Sequence, residues 1–199
     1  MYIKTKLLTI ILLTFSTLAF SQDYKKEIET KFLEYNNYII NQDFTKSTDF
    51  VPEEFYDIVP KEQMVLLLEK TFNNPEMDFN LKGPQIIDIS EKEQVEGKYY
   101  SLIRYSSLMN MKFKNKDQKE ETETERKLRM NLIKLSFEKT FGSNNVKYNE
   151  DTGFFEINAQ KQAYAIYKYG KTDWRFLVIE SKQKFILEKL LPKQLVEKI

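Results

Sequence analysis

The chain has 199 residues, 31 Lys and Arg against 30 Asp and Glu, 41% hydrophobic and 14% aromatic content, and neither His nor Cys. A formal net charge of +1 leaves no basic excess for gripping phosphate backbones, so nucleic acid is not an expected partner. The missing imidazole and thiol remove the commonest general base, thiolate nucleophiles, disulfides and sulfur-rich zinc sites, and leave any chemistry to Asp, Glu, Lys, Tyr, Ser or Thr.

In chain order, Lys4 and Lys6 precede an apolar run from Leu7 to Phe20. Ala19-Phe20-Ser21 then puts small residues at the −3 and −1 positions of a cut before Gln22. This is the layout of a secretory signal peptide. The run is 14 residues long, short of the roughly 20 that span a bilayer as a helix. Cleavage between Ser21 and Gln22 is therefore expected, with residues 1–21 as signal and 22–199 as a single α+β domain. No Cys follows the run, so the mature protein is expected to be periplasmic or secreted, not a lipoprotein, with no stable membrane anchor after cleavage. Asp117 to Glu125 lacks the D-x-D-x-D-G pattern of a calcium loop, and neither a metal nor a cofactor is expected.

Residues 23–42 read as a helix, because Ile28, Phe32, Tyr35 and Ile39 share one stripe at the 3.6-residue period. Asp23 suits its N-cap. Residues 43–59 read as irregular, with a short helical turn at Glu53 to Ile58. Pro60 suits the first position of a second helix carrying Met64, Val65, Leu68 and Phe72. The period then becomes two. Met77, Phe79 and Leu81 mark one strand and Ile86, Ile87 and Ile89 another. Glu91 to Gly97 reads as a charged connection. Residues 98–113 read as a long strand with Tyr99, Ile103, Tyr105, Met109, Met111 and Phe113 on one face.

A charge run from Asn115 to Glu125 leads into an inserted long helix, about 119–141. It has two apolar stripes, Leu128, Leu132, Leu135 and Met130, Ile133, Phe137, Phe141. So wide an apolar arc predicts a well-buried helix, ended by Gly142. Val146 and Tyr148 should pair with Phe155 and Ile157. Residues 161–169 and 172–180 should form a hairpin around Gly170. Trp174, Phe176 and Val178 should share one face of the last strand, with Leu177 and Ile179 on the other. Phe185 to Leu191 and Pro192 to Ile199 read as C-terminal helices.

The Tyr35-Asn36-Asn37-Tyr38 helix end, the Lys61–Phe72 helix leading into Met77-Asp78-Phe79, and Thr172-Asp173-Trp174-Arg175-Phe176 together resemble the nuclear transport factor 2-like superfamily. The Leu18-Ala19-Phe20-Ser21-Gln22 segment, in a chain rich in Lys, Asn, Phe and Tyr, also resembles exported proteins of Bacteroidetes-type bacteria. The resemblance implies N-terminal helices packed on a strongly curved antiparallel sheet that closes into a cone. The inserted long helix and the C-terminal helices depart from that pattern. Relatives of this cone include isomerases, dehydratases, polyketide cyclases and domains without a known reaction, so fold alone assigns no chemistry.

Three functions follow as expectations. The first is an exported soluble module that binds a small apolar ligand or a protein partner, with Tyr35, Tyr38, Tyr105, Tyr167 and Trp174 as pocket candidates. Aromatics on strands are more often core than pocket, and Phe outnumbers Tyr here by 15 to 12. The second is an isomerase- or dehydratase-type enzyme using carboxylate and tyrosine acid–base chemistry, as the resemblance implies for Asp78 or Asp88 with Tyr35 or Tyr38. Strand parity turns both aspartates away from the apolar face, and no catalytic residue is assigned. The third is an assembly role as a homodimer through the C-terminal helices. Arg104 and Arg175, in otherwise apolar strands, suit either an ion pair or an anionic ligand.

Overall fold

The computed structural model describes residues 24–114, 121–168 and 173–199. The expected cleavage site at Ser21 and Gln22, the Asp23 cap and the Gly170 turn lie outside them. Helix α1 spans 24–40, as its apolar stripe requires. Ile28, Phe32 and Tyr35 are buried from it. Helix α2 (Phe44–Ser47) and two 3-10 turns, Thr48–Phe50 and Glu53–Asp57, follow. The Tyr56 hydroxyl donates to the Thr48 carbonyl and ties the two turns together. Helix α3 (Lys61–Phe72) begins one residue later than expected. Pro60 is its N-cap, with extended backbone at ψ 144.

The sheet is antiparallel and curved, with seven strands: β1 (Met77–Leu81), β2 (Gln85–Ile89), β3 (Glu93–Val95), β4 (Lys98–Phe113), β5 (Val146–Asn149), β6 (Phe154–Lys168) and β7 (Arg175–Ile179). Its spine is the β4–β6 ladder, which runs from Lys98↔Lys168 to Met111↔Phe155. β1, β2 and β3 line one edge of β4 in succession. β5 and β7 pair with β6. The short β3 lies within the stretch read as a connection. Its three residues fold back on β4 through Glu96 and Gly97, both at positive φ. The Val146↔Ile157 and Tyr148↔Phe155 pairs form as the alternation requires.

Period-two alternation sorts the core into three clusters. Ile103 and Tyr105 of β4, Ala163 and Ala165 of β6, Trp174 and Phe176 meet α1. Tyr100, Tyr164, Leu177 and Ile179 point to the opposite face, where helices α5 (Lys184–Leu190) and α6 (Lys193–Val196) cover them. The last strand is thus covered on both sides. Farther along the ladder, Met109, Phe155 and Ile157 form a third cluster with the inner side of α4 (Glu123–Phe141).

Helix α4 starts with a capping box. The Thr122 hydroxyl accepts from the Glu125 backbone N–H, and the Glu125 carboxylate accepts from the Thr122 N–H. It ends at Gly142, whose φ of 89° suits glycine. The expectation of a well-buried helix fails. Met130, Ile133, Phe137 and Phe141 pack on the sheet, while Leu128, Leu132 and Leu135 are 60–62% exposed. The sheet covers one side of the helix, and among the described residues nothing covers the other.

Candidate ligand-binding groove

The site arises from a discontinuity along β6. β5 pairs with residues 154–157 and β7 with residues 162–166. Between them, Asn158, Ala159, Gln160 and Lys161 have no strand partner on that edge among the described residues. β4 holds them on the other side. A half-open groove of about 830 Å³ lies at this gap, bordered by Thr140 and Phe141 at the end of α4 and by Ile179, Glu180 and Lys182 after β7. Its apolar lining includes Tyr105, Met109, Met111, Phe141, Ala159 and Ile179, with Ile87 and Ile199 farther out. The size lies within the range of small-molecule sites, about 300–1,000 Å³.

The rim carries three cations, two of them ion-paired. Arg104, Lys161 and Lys182 line it, with Glu180 as the carboxylate among the described lining residues. Lys161 Nζ lies 2.5 Å from Glu180 Oε1. Arg104 lies 2.8 Å from Asp88, with half-exposed side chains on both sides. Exposed pairs of this kind are worth about 0–1 kcal/mol, so either can open for a competing anion. Tyr105 is 4% exposed. Burial pushes its phenol up, with smaller contributions from Tyr35 and Glu180. It therefore stays protonated at neutral pH.

The five pocket candidates do not form one site. Tyr35 and Tyr105 sit in the first core cluster. There Phe32 contacts the Tyr105 ring edge-on at 4.9 Å, and Phe176 stacks on Tyr35 at 5.9 Å. Burial raises the Tyr35 phenol to about 12. Of the five, Tyr105 reaches the groove. Tyr38 lies on the outer side of α1, against the Phe50 ring at 5.8 Å and beneath the Lys46 ammonium. Tyr167 and Trp174 join an aromatic cluster with Tyr24 and Tyr99. Lys92 caps that cluster 4.6 Å above Tyr24. Trp174 Nε1 is buried without a hydrogen-bond partner among the described residues.

The carboxylates of the acid–base reading lie elsewhere. Asp78 pairs with Lys114 at 2.7 Å and Asp88 with Arg104, all four side chains about half exposed. Among the described residues no Asp or Glu is buried. Arg175 borders a separate small hollow with Glu54, Lys98 and Asp173. Sequence reasoning missed Phe141, Ala159, Lys161, Glu180 and Lys182 because the groove depends on where β5 ends and β7 begins along β6. The available signal was the polar stretch Asn158 to Gln162, where the strand's apolar alternation lapses.

Compared with models of protein families, with curated proteins and with solved structures, the chain matches none.

Proposed function

We propose that this chain is an exported binding module, a cone of the nuclear transport factor 2-like type, that holds an amphipathic anion in the β6 groove. The observation that carries the reading is the groove itself: about 830 Å³, with much apolar surface and with Arg104, Lys161 and Lys182 in its lining, the first two held in exchangeable ion pairs. An apolar ligand body would lie over Met109, Met111 and Phe141. Its anionic end would displace Glu180 from Lys161 and meet Lys182. The ion lost and the ion gained are equivalent in charge, so the exchange costs little electrostatically. Export rests on the Lys4-to-Ser21 layout, and the cone on the order of α1, α3 and the curved sheet. No catalytic step is assigned, because the half-exposed Asp78 and Asp88 offer no buried acid–base pair.

Titration calorimetry with dodecanoate and with dodecanol tests this. Dodecanoate should bind, dodecanol more weakly, and the Lys161→Gln/Lys182→Gln variant should lose about tenfold in dodecanoate affinity, a typical effect of removing charge-assisted contacts. Equal affinity for the acid and the alcohol, or no heat from either, would overturn the reading.

A further inference from the structure

Helix α4 carries two apolar stripes on opposite sides. Met130, Ile133, Phe137 and Phe141 hold it to the sheet. Leu128, Leu132 and Leu135 face solvent at 60–62% exposure. At 3.6 residues per turn the three leucines fall within an arc of about 60°. Their spacing of four and then three residues is that of a coiled-coil seam. An exposed helix face needs polar residues for solubility, so a contiguous leucine stripe marks an interaction surface.

We propose that this stripe docks on the same stripe of a second copy, with the two α4 helices antiparallel and the twofold axis beside Leu132. Charge selects both the occupant and the direction. Glu125 lies seven residues before Leu132 and Lys139 seven after, on the same side of the helix. Antiparallel pairing sets Glu125 against the partner subunit's Lys139, and the reverse. Lys127 and Glu138, five before and six after, meet their opposites along one flank in the same way. Parallel pairing would set each charge against its like, which is destabilising. Antiparallel helices also oppose their macrodipoles. Glu125 keeps its capping contact with Thr122, whereas the present partners of Lys127 and Glu138 hold them weakly. Lys127 lies 3.4 Å from Glu123 and Glu138 lies 3.8 Å from Lys134, both as i,i+4 pairs. The interface lies on the outer side of α4, whereas a role for the C-terminal helices would place it across the molecule on α5 and α6. It does not depend on what the groove binds.

The chain has no Cys, so introduced thiols report the register directly. Under mild oxidation the Leu132→Cys variant should cross-link to itself. The Leu128→Cys variant should not, because its two copies stand about 12 Å apart along the axis. Sedimentation equilibrium on the unmodified protein should show a concentration-dependent dimer. The Lys127→Glu variant should weaken it severalfold, and Lys127→Glu/Glu138→Lys should restore it. A monomer at every concentration overturns the proposal. So does cross-linking at Leu128→Cys equal to that at Leu132→Cys, which marks parallel pairing. A dimer that survives Leu128→Glu/Leu132→Glu/Leu135→Glu, with unchanged circular dichroism, overturns it as well.

Discussion

Lys161 and Glu180 are joined across the gap between β6 and the end of β7 by a 2.5 Å ion pair at the rim of the groove. The pair sits at one end of the polar interruption along β6 and holds a cation at the place where the proposed ligand's charge would sit. Glu180 is thus an internal competitor for that cation.

Glu180→Gln should therefore raise affinity for dodecanoate by a few fold while changing stability by less than about 1 kcal/mol, the usual worth of an exposed pair. Lys161→Gln should lower affinity and leave stability equally unchanged. Calorimetric titration beside urea denaturation separates the two effects. A loss of affinity in Glu180→Gln would show that the carboxylate orients Lys161 instead of competing for it.

One ring of the first core cluster touches both β4 and β7 from α1. Phe32 is fully buried and meets Tyr105 at 4.9 Å and Phe176 at 5.1 Å, both edge-on. It thereby fastens α1 to β4 and β7 together. Phe32→Ala should cost about 3–5 kcal/mol in urea denaturation. A cost below about 1 kcal/mol would mean that α1 contributes little to the cooperative unit.

Local alternation made the sheet's main parts readable. Tyr99 through Phe113 defined β4, and the apolar pairs Val146–Ile157 and Tyr148–Phe155 were set by neighbouring segments. The two-sided burial of β7 followed from Phe176 and Leu177 both being apolar. What depended on distant chain was not readable. β6 crosses Asn158 to Gln162 without an apolar rhythm, because β4 supplies its pairing there. β3 hides in a charged stretch because Val95 alone needs burial. Leu128, Leu132 and Leu135 announce a helix side but not whether anything covers it. Tyr35 and Tyr105 were readable as aromatics of the inner face. That Phe32 and Phe176 fill the space between them depends on how closely α1 approaches the sheet.

Helix α4 follows a charged segment and relies on its capping box. Thr122→Ala removes the acceptor for the Glu125 N–H and should cost about 1 kcal/mol, with a small loss of helical circular dichroism. The hydroxyl and backbone N–H of Thr122 also hold the Glu125 carboxyl below its usual range. A depressed folded pKa contributes stability above the unfolded value and loses it as pH falls through the folded one. The difference between parent and Thr122→Ala should therefore narrow below about pH 4. A difference that stays constant into acid would place the effect in the hydroxyl contact alone.

The opposite end of the pH scale tests the aromatic core. Burial raises the phenols of Tyr35, Tyr56 and Tyr100 to about 12, and pushes Tyr105 up as well. In the unfolded chain they ionise near 10. Between those values the folded state holds protons that the unfolded state has released, so stability falls as pH rises. Below pH 10 the contribution is fully present. The protein should unfold cooperatively between about pH 10 and 12, and the near-ultraviolet absorbance of tyrosinate should rise in the same transition as the loss of ellipticity. Tyr35→Phe, which keeps the ring against Phe176 and removes the titrating hydroxyl, should make that pH dependence shallower. If tyrosinate absorbance instead develops in full near pH 10 while the fold persists, these phenols are open to solvent and the α1–β4 contact is looser than the packing around Phe32 requires.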